Sequence, residues 1–355
     1  MSEHRKIGGG TIAPSVSARG AAARGALARG AAVLGTAVLS VLAVPSSAWA
    51  WEPTRPVEMV VPFSAGGASD QMARSIQGII AKYELMKQPV IVVNKAGASG
   101  AEGLMDVKAS KGDPNKLLVS SSALYTVPLV SKLPFNWREL TPVAMVAMDE
   151  FVLWTNAKSP YDSVQSFVQA AKAGQGGKRL RMGGTSSKRE DHMITAMIEK
   201  QTGAKFIYVP YKGGGEAATQ LSGNHIDANV NNPSESVAQW RAGEHRALCV
   251  FAQARMDYRD KVAGEQSWHD VPTCAEQGLD VSYQMLRVIM MPGGATPEQA
   301  QYYANVMKQV TEKPEWIDYM KRSALKAEFL QGKELEAFLE KDEKLHEQIV
   351  KDAGF

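Results

Sequence analysis

The sequence predicts an α/β protein of two domains, each a mostly parallel sheet flanked by helices, joined by two chain crossings into a hinged clamshell. Three observations carry this. Short apolar runs alternate with helical patterns along the chain. Small polar turns rich in Gly, Ser, Thr and Asn follow the apolar runs in both halves. A doubled apolar stretch at 142–154, with Asp149-Glu150 between its two runs, reads as a crossing from one half to the other.

The opening unit spans 57–70. Its apolar run reads as a buried strand, followed by Ser64-Ala65-Gly66-Gly67-Ala68-Ser69-Asp70 and a helix carrying Met72, Ile76, Ile79, Ile80 and Tyr83 at helical spacing. A strand, glycine turn and helix N-terminus make a common anion site. The first N–H groups of a helix lack partners, and its dipole favours negative charge there. A second strand at 89–93 leads into Asn94-Lys95-Ala96-Gly97-Ala98-Ser99-Gly100 and a helix at 101–109. A third at 116–120 runs into Ser121-Ser122-Ala123-Leu124-Tyr125. In such sheets ligands sit at the carboxyl ends of strands.

Beyond the crossing the theme repeats. A helix at 163–173 and a strand at 180–182 precede Gly183-Gly184-Thr185-Ser186-Ser187 and a helix at 190–202. A strand at 206–209 precedes Pro210-Tyr211-Lys212-Gly213-Gly214-Gly215-Glu216. A strand at 226–230 ends in Asn231-Asn232-Pro233-Ser234. The run 247–252 reads as the return strand, and 285–291 as another apolar strand. Thr296 caps a helix with Pro297 at its first position. A final helix from about 333 puts Leu335, Phe338, Leu339, Leu345 and Ile349 on one face, expected to pack on the first domain. The expected division is 51–147 for the first part of domain 1, 148–246 for domain 2, and 247–355 for the return segment and C-terminal helices of domain 1.

The first fifty residues read as a secretory signal. A basic, Ala/Gly-rich start precedes an apolar run at 31–44 and the small-x-small site Ala48-Trp49-Ala50, so cleavage is expected after Ala50 and the mature chain in the periplasm. The formal net charge is +3, but this leader holds five basic residues against Glu3, leaving the rest near −1. The basic balance is therefore no argument for nucleic acid. Cys249 and Cys274 either pair, as an exported compartment permits, or stay as two buried thiols.

Chemistry-bearing motifs are sparse. The six histidines form no His-Glu-x-x-His pair or Cys/His cluster, and the chain has no Gly-x-Ser-x-Gly elbow, phosphate loop or Cys-x-x-Cys. No cofactor or metal is expected, and an enzyme is not the expected reading. Neutral hydrogen-bonding groups in glycine-rich turns remain, suited to a carboxylate in a closed cleft. Candidate ligand contacts are Phe63, Ser64, Ala65, Gly66, Gly67, Ser69, Asp70, Ser121, Ser122, Tyr125, Gly184, Thr185, Ser186, Ser187, Tyr211, Lys212 and Asn231. Asp70 is either a ligand contact or a helix cap. Lys212 pairs with an anion or sits in solvent. The rival is an exported hydrolase using a turn serine, with His192 as the base to test.

Together these motifs resemble a known family. Arg55-Pro56, Val61-Pro62-Phe63-Ser64-Ala65-Gly66-Gly67 with Asp70, Val93-Asn94-Lys95-Ala96-Gly97-Ala98-Ser99-Gly100 and Leu133-Pro134-Phe135 are similar to the tripartite tricarboxylate transporter receptors, the TctC or Bug family. So are Tyr211-Lys212-Gly213-Gly214-Gly215-Glu216-Ala217, Gly223 with Asp227, Val271-Pro272-Thr273 with Glu276-Gln277-Gly278, and Pro292 with Thr296-Pro297. The resemblance covers nearly the whole mature chain. It implies a periplasmic binding protein of the type II-like clamshell kind, a monomer that captures a di- or tricarboxylate or an aromatic acid. Delivery would be to a membrane permease of one large and one small subunit, with a sensor kinase as the alternative partner. It implies a ligand carboxylate held by the loops 63–70 and 183–187, partly through ordered water, with 121–125 facing the cleft. The sequence departs from the family at Ala68-Ser69, at Cys274, and at Lys188-Arg189-Glu190-Asp191 before His192. The charges at 188 and 189 favour a second carboxylate or decorate the helix entrance.

Overall fold

The computed structural model describes residues 51–174 and 176–355. The leader expected at 1–50 lies outside the described residues. The first lobe opens with β1 (Val57–Val61), α1 (Ala68–Lys82), β2 (Val90–Asn94), α2 (Ala101–Ala109), β3 (Lys116–Ser120), α3 (Ala123–Ser131) and β4 (Leu140–Asp149). The chain then builds the second lobe from β5 (Val152–Asn156), α4 (Val164–Ala173), β6 (Arg181–Thr185), α5 (Glu190–Thr202), β7 (Ile207–Tyr211), α6 (Gly214–Ser222), β8 (Ala228–Asn231), α7 (Pro233–Arg241) and β9 (His245–Val250). A small hairpin, β10 (Lys261–Ala263) and β11 (Gln266–Ser267), precedes β12 (Met285–Pro292), α8 (Pro297–Thr311), α9 (Pro314–Ser323) and α10 (Gly332–Ala353).

The two large sheets share one plan. The first has the order β2-β1-β3-β12-β4 and the second β7-β6-β8-β5-β9. In the first, β1 pairs parallel with β2 and β3, while β12 runs antiparallel to β3 and β4. In the second, β6 pairs parallel with β7 and β8, while β5 runs antiparallel to β8 and β9. Each sheet is therefore mixed, and its one reversed strand is the one that follows a crossing between lobes. Each crossing therefore leaves one lobe from an edge strand, β4 or β9, and enters the other lobe on the reversed strand next to its edge, β5 or β12.

Helices cover both faces of each sheet because the strands are apolar on both sides. Met72, Ile76 and Ile80 of α1 and Tyr303 and Met307 of α8 fill one face of the first sheet. Leu104 of α2, Val127 of α3 and Leu335 and Leu339 of α10 fill the other. In the second lobe Phe167 of α4 and Ile194 and Ile198 of α5 lie on one face, with Leu221 of α6 and Trp240 of α7 on the other.

Three expectations are corrected. The strand read as the return to the first domain, β9, pairs with β5 in the second sheet, and the return is made by β12. The strand read at 180–182 continues through Gly183 and Gly184 to Thr185, paired with Val209, Pro210 and Tyr211 of β7. The edge position of β7 tolerates Pro210. The last helix does not pack on one domain alone. Its N-terminal half joins the first lobe's core, and Ile349 and Val350 join the second lobe's. Between them His346, fully buried, has Nε2 2.9 Å from the Tyr283 hydroxyl, and Leu345 faces solvent.

Cys249 and Cys274 are joined in a disulfide, closing a sequence separation of 25 residues with Cα atoms 4.8 Å apart. The bond ties the end of β9 to the segment that leads to β12. Replacing both cysteines by serine should lower the unfolding free energy by about 2–4 kcal/mol in a urea melt, chiefly by freeing the unfolded chain. An unchanged midpoint would show that the link does not constrain the unfolded chain.

The first crossing carries a second testable feature. Glu150, between β4 and β5, is 4% exposed, takes one hydrogen bond from Gln284 and forms no ion pair among the described residues. Burial pushes its pKa up to about 7. The folded state thus holds a proton that the unfolded chain releases near pH 4.5, and this group destabilises the fold progressively as pH rises from about 4.5 to 7. Glu150→Gln keeps the Gln284 bond and removes the charge. It should gain stability relative to wild type between pH 5 and pH 8, by about 1–3 kcal/mol. A difference that does not change with pH would assign Glu150 an ordinary pKa.

Candidate functional site

Between the lobes lies a cleft of about 630 Å³. Its first-lobe wall is the turn after β1 and the start of α1. Helix α1 has Gly67 as its N-cap, without a side-chain cap, and its first intrahelical bond is Gln71 N–H to the Gly67 carbonyl. The N–H groups of Ala68, Ser69 and Asp70 precede that bond. The dipole end of α1 therefore meets the cleft.

Asp70 holds this turn in shape. Its Oδ2 accepts from the Gly66 N–H (2.8 Å) and Arg74 Nε (3.0 Å), and its Oδ1 accepts from Asn94 Nδ2 (2.9 Å). Asn94 also donates to the Phe63 carbonyl (3.1 Å). Burial pushes the Asp70 pKa up, but Arg74, the Gly66 N–H and Asn94 outweigh it and hold the carboxyl below the usual value. Asp70 is thus engaged within the wall, shaping the 64–67 turn.

The floor is a buried ion pair. Arg287 of β12, 3% exposed, donates through Nε to Asp149 Oδ2 (2.9 Å), and a second, closer bond joins Nη2 to the same oxygen. Arg287 Nη1 donates to Ser69 Oγ (2.6 Å), which fixes the first turn of α1 on the floor. Phe151 and Met285 supply apolar surface beside it.

The second-lobe wall is built from the starts of α5, α6 and α7. Asp191, 4% exposed, accepts from the Thr185 N–H at the end of β6. Burial pushes its pKa well up. A Cβ on Gly184 would come 2.5 Å from Asp191 Cβ, so only glycine fits there. On α7, Glu235 lies against Gly214, where a Cβ would meet its Oε2 at 2.0 Å. Burial pushes the Glu235 carboxyl up to about 7, and Asp149 adds to the shift. These two glycines make room for the protein's own carboxylates.

Arg189 joins the two walls. It is 6% exposed and pairs with Glu190 (Nε to Oε2, 3.2 Å). Its Nη1 crosses to the Ser99 carbonyl of the first lobe (2.9 Å), and the guanidinium lies 5.3 Å from the centre of the Phe63 ring. Ala98 and Ser99 both have positive φ, 50° and 57°, in the turn that presents this carbonyl. Lys188 lies over the Phe355 ring, away from the cleft lining.

Of the candidates from sequence, Phe63, Ser64, Ala65, Gly66, Gly67, Ser69, Ser121, Thr185, Ser186 and Lys212 line the cleft. Asp70, Ser122, Tyr125, Gly184, Ser187, Tyr211 and Asn231 do not. Ser122 precedes α3 and is fully buried, and Tyr125 packs in the first lobe's core. Tyr211 packs against the second lobe's core, and Ser187 is exposed. Asn231 Nδ2 donates to the Gly214 carbonyl (2.9 Å). The sequence reading did not select Glu190, Asp191, Glu235 or Arg287, and it weighed Arg189 only as a contact for a second carboxylate or a charge at the helix entrance. A charge inside the apolar strand 285–292 was the available signal for Arg287.

His192 stacks on Tyr208 with ring centres 3.9 Å apart, and its Nδ1 accepts from the Lys188 N–H (3.1 Å). Among the described residues no serine hydroxyl bonds to it. Also among the described residues, no group of three His, Cys, Asp or Glu is placed to hold a metal ion, and no helix is long and apolar enough to cross a membrane.

Two mixed α/β lobes around a polar cleft, with both crossings at its floor, define a two-domain solute-binding protein. The family model for the tripartite tricarboxylate transporter family receptor, TctC, matches residues 72–355, and the chain belongs to that family. It is 32% identical over 262 residues to protein BugT of Bordetella pertussis, covering 72% of this chain and 76% of that protein. A ligand-free TctC solute-binding protein from Polaromonas is 27% identical with a TM-score of 0.65, covering 84% of this chain and 99% of that one. An adipate-bound protein of R. palustris is 22% identical with a TM-score of 0.76, covering 85% and 98%.

The wall geometry gives a prediction. Asp70→Ala removes the acceptor of three hydrogen bonds and should lower the unfolding free energy by about 1–3 kcal/mol. Because the Asp70 pKa is lowered in the fold, the difference from wild type should be full above the unfolded value near 4 and vanish as pH falls through the folded value. Denaturant melts at pH 7 and pH 3 check this. Equal stability of the two proteins at pH 7 would return Asp70 to the ligand.

Proposed function

We propose that this chain is an exported periplasmic receptor that captures a small organic carboxylate in the interlobe cleft and delivers it to the membrane permease of a tripartite tricarboxylate-type transporter. The observation that carries the reading is the uncapped start of α1 at the cleft wall, with the N–H groups of Ala68 and Ser69 ahead of the first intrahelical bond. Family membership supports the receptor role, and the adipate bound by the R. palustris relative supports an acid as the ligand class. The chain would act as a monomer after cleavage behind Ala50.

The mechanism is closure. The two crossings act as the hinge, and the walls meet over the ligand, exchanging its water shell for backbone N–H groups and hydroxyls. Phe63, Phe151 and Met285 cover the apolar body of the acid. Closure brings one face of each lobe into a fixed relation that a permease reads.

A ligand that binds only the folded chain stabilises it by mass action, about 2.7 kcal/mol at a concentration 100 times its dissociation constant. In a thermal-shift screen of residues 51–355 against mono-, di-, tri- and aromatic carboxylates, at least one acid should raise the melting temperature by several degrees. No shift with any class would contradict the receptor reading.

A further inference from the structure

The two walls of the cleft differ in charge. On the first lobe, α1 offers its positive dipole end beside Ser64 and Ser69. On the second lobe, Asp191 and Glu235 line the same cavity. Neither forms an ion pair among the described residues, and Asp191 is nine-tenths buried. The buried cations that border the cleft are already engaged: Arg287 by Asp149 and Ser69, Arg189 by Glu190 and the Ser99 carbonyl. Lys212 remains, and it is exposed.

We propose that the cleft selects an acid with one carboxylate, seated at the start of α1, and a hydrogen-bond-donating far end at Asp191 and Glu235, and that it disfavours an acid with a second carboxylate there. This rests on the receptor reading above and narrows its ligand.

The geometry carries it in two steps. The helix starts of the second lobe, which would otherwise attract an anion, are occupied by the chain's own carboxylates. Glu235 lies against Gly214 at the first residue of α6, and Asp191 sits in the first turn of α5. Gly214 and Gly184 leave no room for a Cβ, which is what brings those carboxylates so close. A second ligand carboxylate would then face acceptors and like charge with no free buried cation, an arrangement that discriminates by repulsion. An ammonium, amide or hydroxyl would instead supply the donor that the wall lacks. The raised pKa values of Asp191 and Glu235 agree: burial outweighs the Thr185 N–H at Asp191, and at Glu235 it outweighs the nearby Arg287 charge and the Asn232 and Gly214 N–H groups.

The test compares acids of equal chain length by titration calorimetry at pH 8 on residues 51–355: succinate against 4-aminobutyrate and 4-hydroxybutyrate, and adipate against 6-aminohexanoate. A donor-ended acid should bind at least about tenfold tighter than the matched dicarboxylate. Asp191→Asn and Glu235→Gln keep the shape and remove the charge. Each should reduce that preference, with circular dichroism confirming the fold. A dicarboxylate that binds wild type as tightly as its donor-ended partner would overturn the proposal, as would a preference unchanged in both variants. Binding of a dicarboxylate alone would leave the receptor reading standing. No binding by any acid, with the fold intact, would overturn the receptor reading and this inference with it.

Discussion

The ion pair between Arg287 and Asp149 is the interaction on which the rest is hung. It joins β12, the strand that completes the first sheet after the second crossing, to the end of β4, where the first crossing leaves. Its free guanidinium edge reaches Ser69 and so sets where α1 begins relative to the floor. Both partners are at most 3% exposed. Removing one would strand a buried charge, an outcome that typically costs about 3–5 kcal/mol. The first crossing, the cleft floor and the start of α1 are therefore one connected unit.

That unit explains why the walls are unlike. The first-lobe wall is shaped by Asp70 from behind, which leaves the α1 helix end open to the cleft. The second-lobe wall is shaped by acids from within, which close its helix ends. Arg189 then ties one wall to the other through a carbonyl, the Phe63 ring and its own Glu190, so its charge serves the protein before any ligand.

Much of the fold was legible because local pattern and tertiary role agree. The apolar runs at 57–61 and 116–120 and the helices at 101–109 and 190–202 need no information from elsewhere. What failed was pairing. The run at 247–252 carries no mark of which sheet receives it, and Gly183 and Gly184 read as a turn because what keeps them small, Ile226 for Gly183 and Asp191 for Gly184, is reached only in the folded chain. The first-lobe half of the site was legible from the Gly66-Gly67 turn and the helix behind it. The second-lobe half was not. Glu235 is one acid on an ordinary helix until Gly214 is brought under it, and Tyr125 and Asn231 follow polar-turn logic yet face inward.

The proposed receptor holds its acid with the carboxylate at the start of α1. A crystal structure of residues 51–355 with a bound acid tests it most directly. Carboxylate oxygens should lie about 2.7–3.2 Å from the N atoms of Ala68 and Ser69. A carboxylate bound instead to the second-lobe wall, or an acid bound outside the cleft, would contradict it.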